Sequence, residues 1–447
     1  MSHSRGKNIE KTAYETYGKI KKTDSRYNAF QTLRNEAALE EARQIDVLLA
    51  NGAELPLAGM TFGLKDNIWV EGEVVTNGQP LHDRFEAPAD ATVTKRIKDG
   101  GGLVIGKTRM TEGAFSQHRP DQPAPLNPWN PQIWTGTSSS GSGVAVATGQ
   151  VDVAIGTDAG GSVIYPATVN GITGIKPTWG AISRYGVFPH SPTVDHVGIL
   201  ARTAELISRT LLAVAGRDAN DNTTCFEPLF SADLGRQYKI AIPRGYALDG
   251  IAPEVATAFN TASAIISELF EVEPNDVPLD WETATQVWDV IAAAELAASH
   301  RDLYAKSSAV YGSALSAFIS AGNNVTIDDY INASIDRSAV SEEINAQLQG
   351  VDFLLVPALS RVNRTVAQMS GLGGNSFDKA DLMRFTAPFN LSGYPSVAFP
   401  IGIGESGVPV AAQLIGRPLT DLQLLAAVHK FQLNTNWSER YPPGITQ

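Results

Sequence analysis

The chain has 447 residues, 43% of them hydrophobic and 18% charged, with a formal net charge of −12. That composition supplies a large buried core and no basic patch, which excludes nucleic acid as an expected partner. A single cysteine, Cys225, excludes a disulfide framework and a thiolate metal cluster, and no apolar run reaches the length of a membrane span or a secretory leader, so a cytoplasmic protein that does not engage membranes is expected.

Residues 9–50 carry helical periodicity and many charges, as amphipathic helices on the outside of a core do, and Asn51-Gly52 ends the second of them. The next segment, PLAGMTFGLKDNIWV, reads as a strand and carries Lys65. A lone lysine among Phe62, Leu64 and Ile68 would by default run out to solvent along its apolar stem.

Residues 90–110 read as helix, turn, strand, turn. They contain a formal phosphate-loop pattern at Gly101, Gly106, Lys107 and Thr108, but the residues between the glycines are Gly-Leu-Val-Ile, a strand pattern. A phosphate loop follows its strand and opens a helix, so this stretch is scaffold. Gly141 and Gly143 similarly lack the strand and the downstream acid of a dinucleotide fingerprint. Residues 120–135, rich in Pro and Trp, form an extended lead-in.

The stretch from Trp134 to Thr178 stands apart. Two clusters of small hydroxyl and glycine residues, TSSSGSG and GTDAGGS, flank a run of Ala, Val and Gly suited to a buried helix and strand. Gly160-Gly161 beside Ser162 suggests close approach of the backbone to something, and successive N–H groups in such a turn can converge on a developing negative charge. A pair of plain Gly/Ser loops is the alternative for either cluster alone.

Together with GLKDN around Lys65, the clusters resemble the signature of the amidase signature family of serine hydrolases, whose usual form is close to GGSSGGSGAAVAAG…GTDTGGSIRIPA…GLKPT. The resemblance runs from about Met60 to the C-terminal region. It implies an α/β fold: a large mixed β-sheet core covered by helices on both faces, in one domain over residues 1–447. Within that domain 1–60 would be N-terminal helices, 61–215 the signature core, 216–350 a variable set of pocket helices, and 351–447 the rest of the core.

By the same resemblance Ser162 is the nucleophile, Ser138 the bridging serine after a cis peptide bond, and Lys65 the base. The backbone N–H groups of Ala159, Gly160 and Gly161 would hold the oxyanion, with that of Ser162 as a further candidate. Neither metal nor cofactor is implied. No G-x-S-x-G elbow is present, because Gly160-Gly161-Ser162-Val163-Ile164 fails at the last position, so a Ser-His-Asp arrangement is not expected. Lysine can act instead if burial lowers its pKa toward neutrality.

The chain departs from the family after the nucleophile. GGSVIYPA places Ile164 where an arginine is usual, followed by Tyr165, and both are candidate substrate contacts. Ile164 either faces the pocket or fills the core beneath the loop. Farther on, Asp195 and Arg202 are candidate buried anchors. Trp281, Trp288, Glu295 and Tyr304 are candidate pocket residues, although core packing is the expected role of the aromatics. Strands are expected at 238–243, at 351–359 and within 385–418, with a closing helix from Asp421.

The implied activity is hydrolysis of a small amide, hydrazide or urea-like compound. The alternative is the glutaminase subunit of a tRNA-dependent amidotransferase, and a third reading is a binding protein on an inactive scaffold. A homodimer or a small accessory subunit stays open.

Overall fold

The computed structural model describes residues 8–80, 85–225, 227–233, 235–243, 248–275, 281–370 and 379–445. The chain opens with helix α1 (Ile9–Tyr27), strand β1 (Phe30–Leu33) and α2 (Asn35–Ala50), and β1 is a strand the helical periodicity of this region hides. Asp46 accepts from the N–H groups of Ile9 and Glu10 and so ties the second helix to the start of the first. Then come β2 (Thr61–Lys65), α3 (Thr92–Asp99), β3 (Leu103–Thr108), α4 (Ser140–Ala147), β4 (Val153–Asp158), α5 (Ile164–Asn170), β5 (Thr173–Lys176), β6 (His196–Ala201) and α6 (Ala204–Val214). The middle of the chain gives β7 (Lys239–Pro243), α7 (Pro253–Leu269), β8 (Glu271–Asn275), α8 (Trp281–Ser307), α9 (Ser313–Asn323) and α10 (Ile327–Gln347). It closes with β9 (Phe353–Pro357), α11 (Val366–Ser370), α12 (Lys379–Met383), α13 (Ala387–Ser392), β10 (Ser396–Ile403), β11 (Pro409–Gly416) and α14 (Asp421–Leu433).

The eleven strands form one mixed sheet in the order β1-β3-β2-β4-β6-β5-β10-β11-β9-β7-β8. At its centre β2 runs parallel to β3 and β4, while β4 and β6 pair antiparallel. The sequence shows why both faces are covered. Central strands such as LVIGKT and VAIGTD are buried at every position, and their side chains alternate between two cores. Val104, Val153, Ile155, Ile199 and Val397 join the core under α3, α6, α7 and α14, whereas Leu103, Ile105, Ala154, Leu200 and Ala398 join the core under α1, α2, α4 and α5.

That second face is built from small residues. Ala154, Ala398 and Ala411 meet α4 and α5, two short helices with every residue buried, so neither carries a polar stripe. The phosphate-loop pattern resolves as scaffold. Lys107 and Thr108 lie inside β3, Lys107 Nζ stands 3.1 Å from Asp66 Oδ1 with both groups buried, and Thr108 Oγ1 pairs with Ser142 Oγ at 2.7 Å.

On the other face α8 and α9 pack closely. Gly322 of α9 stands where an added Cβ would lie 1.9 Å from the carbonyl oxygen of Ala293 on α8. Gly322→Ala must push α9 away, and overpacking of this kind costs about 1–3 kcal/mol. The expected result is a lower Tm by calorimetry; an unchanged Tm would show that the two helices separate freely.

Candidate active site

β2 and β4 are parallel neighbours, so Lys65 and Asp158, the last residues of each, end at the same edge of the sheet. Ligands in open α/β sheets bind beyond the carboxyl ends of the strands. Ser138 precedes α4 and Ser162 precedes α5, and the two loops are joined where Ser139 N–H donates to the Ser162 carbonyl at 3.3 Å. The Thr137–Ser138 peptide bond is cis.

Lys65 is fully buried, and its Nζ lies 2.6 Å from Ser138 Oγ, 2.7 Å from Thr157 Oγ1 and 3.3 Å from Thr157 O. Burial lowers its pKa to about 7, against the opposing charges of Asp158 and Asp195. A neutral amine has two N–H donors and one lone pair. With the hydroxyl and carbonyl of Thr157 accepting the two N–H bonds, the lone pair faces the Ser138 hydroxyl. The lysine therefore does not run out to solvent, as a lone lysine in a strand would by default.

The GTDAGGS loop is held from both sides. Asp158 accepts at Oδ1 from Gly161 N–H at 2.7 Å and from Asn390 Nδ2 at 2.8 Å, and at Oδ2 from Val163 N–H at 2.6 Å. From outside, Trp288 Nε1 donates to the Ala159 carbonyl at 2.6 Å and Thr386 Oγ1 donates to the Gly160 carbonyl at 2.9 Å. In a trans peptide the N–H opposes the C=O, so these anchors fix the direction of the N–H groups that follow. A Cβ at Gly160 would sit 2.9 Å from Trp288, and one at Gly161, where φ is 118°, would sit 2.3 Å from the Tyr165 ring. Side chains are excluded by contact at both positions.

Three expectations change here. Gly161 N–H is engaged by Asp158, so it is not a free oxyanion donor; among the described residues the N–H groups of Ala159, Gly160 and Ser162 have no protein partner. Ile164 is 1% exposed and belongs to the core under α4, so it fills the space beneath the loop and does not contact substrate. Glu295 is not a cavity residue: its carboxylate accepts from Ser191 Oγ, Thr193 N–H, Thr193 Oγ1 and Tyr330 OH, while Tyr304 packs edge-on against Tyr311, the kind of role expected of the aromatics.

Ser162 and Tyr165 do line a cavity of about 270 Å³, along with Trp288, Phe115, Phe318 and Met383. The Tyr165 hydroxyl pairs with Thr386 Oγ1 at 2.6 Å, which leaves its ring as the wall. Trp288 and Phe318 come from the 216–350 region; the side chain of Trp281 lies outside the described residues. Asp195 is an anchor, accepting from the N–H groups of His190 and Ser191 at 2.9 and 3.0 Å, and Arg202 stacks its guanidinium 3.6 Å from the Tyr441 ring centroid. Sequence reasoning missed Asp158, Thr157 and Asn390. The first two were findable, as the one acid and the threonine inside a glycine cluster; Asn390 has no local signal.

A profile of the Amidase family matches residues 12–425. The chain is 34% identical over 442 residues to AmiD of Mycobacterium tuberculosis, itself named an amidase by inference, covering 96% of this chain and 91% of that one. It is 30% identical over 474 residues to a glutamyl-tRNA(Gln) amidotransferase subunit from Lachnoclostridium phytofermentans, covering 95% and 93%. Among solved structures it is similar, with a TM-score of 0.86, 27% identity and coverage of 96% and 95%, to a chain from a vestigial complex described as revealing the origins of an s-triazine catabolic enzyme. The chain belongs to the amidase family, on a match that spans nearly all of it. It is a hydrolase acting on carbon–nitrogen bonds other than peptide bonds.

Two outcomes follow from this geometry. In the role of base that the resemblance implies, Lys65 must be neutral to accept a proton, and with its pKa at about 7 kcat/KM is expected to rise as pH increases through about 7. Lys65→Ala abolishes that limb along with the activity; an active variant with the same profile removes the role. Ile164→Arg buries a guanidinium in an apolar core with no partner, at a cost of several kcal/mol even after relaxation, so Tm falls sharply. A stable Ile164→Arg protein would mean that the side chain reaches the cavity.

Proposed function

We propose that the chain hydrolyses a small neutral amide, hydrazide or urea-like compound through an acyl-enzyme on Ser162. The observation that carries this reading is the 2.6 Å approach of a fully buried Lys65 amine to Ser138, in a loop bonded to that of Ser162. Lys65 takes the Ser138 proton while Ser138 takes that of Ser162. The Ser162 oxygen bonds to the carbonyl carbon, and the displaced electron pair settles on the carbonyl oxygen.

That oxygen is received by the free N–H groups of Ala159, Gly160 and Ser162, each such donor being worth roughly 3–4 kcal/mol. The carbon–nitrogen bond then breaks as the proton returns through Ser138 to the leaving amine, and water frees the acyl group by the reverse route. No step requires a metal or an organic cofactor.

The 30% identity to an amidotransferase component supports a second reading, in which the same chemistry releases ammonia from glutamine inside a complex. The cavity favours the first. Its one described lysine, Lys379, is paired with Asp289, which leaves the two charges of free glutamine without a counter-ion there.

Ser162→Ala should lose essentially all turnover and all labelling by a fluorophosphonate while keeping the wild-type Tm. Retention of more than a small fraction of activity would move the nucleophile elsewhere. Glutaminase activity that appears only with partner subunits would establish the second reading.

A further inference from the structure

The cavity that holds Ser162 has a wall with a single plane direction. Phe115 and Phe318 stack with centroids 4.3 Å apart and planes 15° apart. His190 stands 6.2 Å from Phe115 at 14°, Trp288 stands 6.4 Å from His190 at 20°, and Trp288 stands 6.2 Å from Phe318 at 19°. All four line the cavity, and they come from three separated parts of the chain. Burial keeps the His190 imidazole below its usual pKa, so it is a neutral ring at working pH.

The charges at this wall are also arranged around rings. Lys379 Nζ lies 5.2 Å from the Trp288 centroid and 5.1 Å from that of Phe318, and it donates to Asp289 Oδ1. Its charge is thus met by a carboxylate and by ring faces, and no unpaired ion lines the cavity among the described residues. A carboxylate or ammonium on the substrate would be desolvated there without compensation.

We propose that this cavity selects a planar, uncharged aromatic acyl group, so that the preferred substrates are arylamides of the benzamide type. The inference rests on the amidohydrolase reading above and adds the substrate class. A flat ring lying in the common plane direction joins the stack at ordinary offset geometry, whereas a saturated ring of the same carbon count has no π face to offer it. The aryl group belongs to the acyl half because that half stays bonded to Ser162 after the amine departs. Walls sharing the cavity with Ser162 therefore act on both chemical steps.

The test measures kcat/KM of the full chain on benzamide, cyclohexanecarboxamide, propionamide and acetanilide, with fluorophosphonate labelling of Ser162 as an independent check of a competent serine. Benzamide is expected to exceed cyclohexanecarboxamide by about fivefold or more, the range aromatic stacking supplies beyond area burial. Phe318→Leu should bring that ratio toward one, because it keeps apolar volume and removes a ring; if that variant is not labelled, Phe115→Leu serves the same purpose. A labelled enzyme that prefers cyclohexanecarboxamide, propionamide or acetanilide overturns the proposal and leaves the amidohydrolase reading standing. So does a ratio that neither variant changes. Failure of the wild-type chain both to label and to turn over any amide removes both readings.

Discussion

A lysine can serve as a base near neutral pH only where water cannot stabilise its charge, and the role proposed for Lys65 depends on that requirement. Moving Lys65 from its usual pKa to about 7 corresponds to roughly 5 kcal/mol between the two protonation states. The unfolded chain holds that proton up to about pH 10, so on this account folding gains strength as pH rises from about 7 toward 10 and carries the full burden below 7. Two nearby carboxylates, Asp158 and Asp195, pull the other way. They do not win, because the loss of water around the fully buried amine is the larger effect; both carboxylates are meanwhile held by backbone N–H groups, Asp158 by its own loop and Asp195 by the His190–Ser191 turn.

Asp158 thus has two effects at once. Its carboxylate bends the GTDAGGS segment back on itself and takes Gly161 N–H out of use, while Trp288 and Thr386 hold the carbonyls of Ala159 and Gly160. The donors left over are fixed before any substrate arrives, the preorganisation that the oxyanion role proposed for them requires. Trp288 also belongs to the ring wall, so one side chain sets both the peptide direction and the shape of the space in front of it.

Much of this was readable from sequence, for definite reasons. β3, β4, β9, β10 and β11 are built on apolar runs, and α7, α8 and α14 carry the length and composition of helices. Lys65, Ser138 and Ser162 could be singled out as candidates because their motifs are local strings. What escaped was non-local. β1 is four residues between two charged helices and becomes a strand only by pairing with β3. Whether Ile164 faced outward or inward depended on where the core under α4 lay. Asn390 reaches Asp158 across 232 residues, a contact no spacing rule anticipates. Glu295 was a candidate pocket residue only because it lies in the variable region; its partners are hydroxyls and an N–H from the 190s turn and α10.

The two faces of the sheet differ in how freely they can change over generations. On the α4 and α5 side, added Cβ atoms at Gly141, Gly143 and Gly174 would meet neighbours at 2.4, 2.9 and 2.7 Å, and alanines fill the strand positions between. Nothing there can grow without moving a loop that carries a serine. The opposite side offers large side chains on long helices, where one bulky residue can replace another at similar volume. A lineage built on this scaffold is therefore free to explore new chemistries of recognition from one direction only. Its diversity would accumulate in α8, α9 and α12, while the reacting groups stay where the tightly packed face holds them.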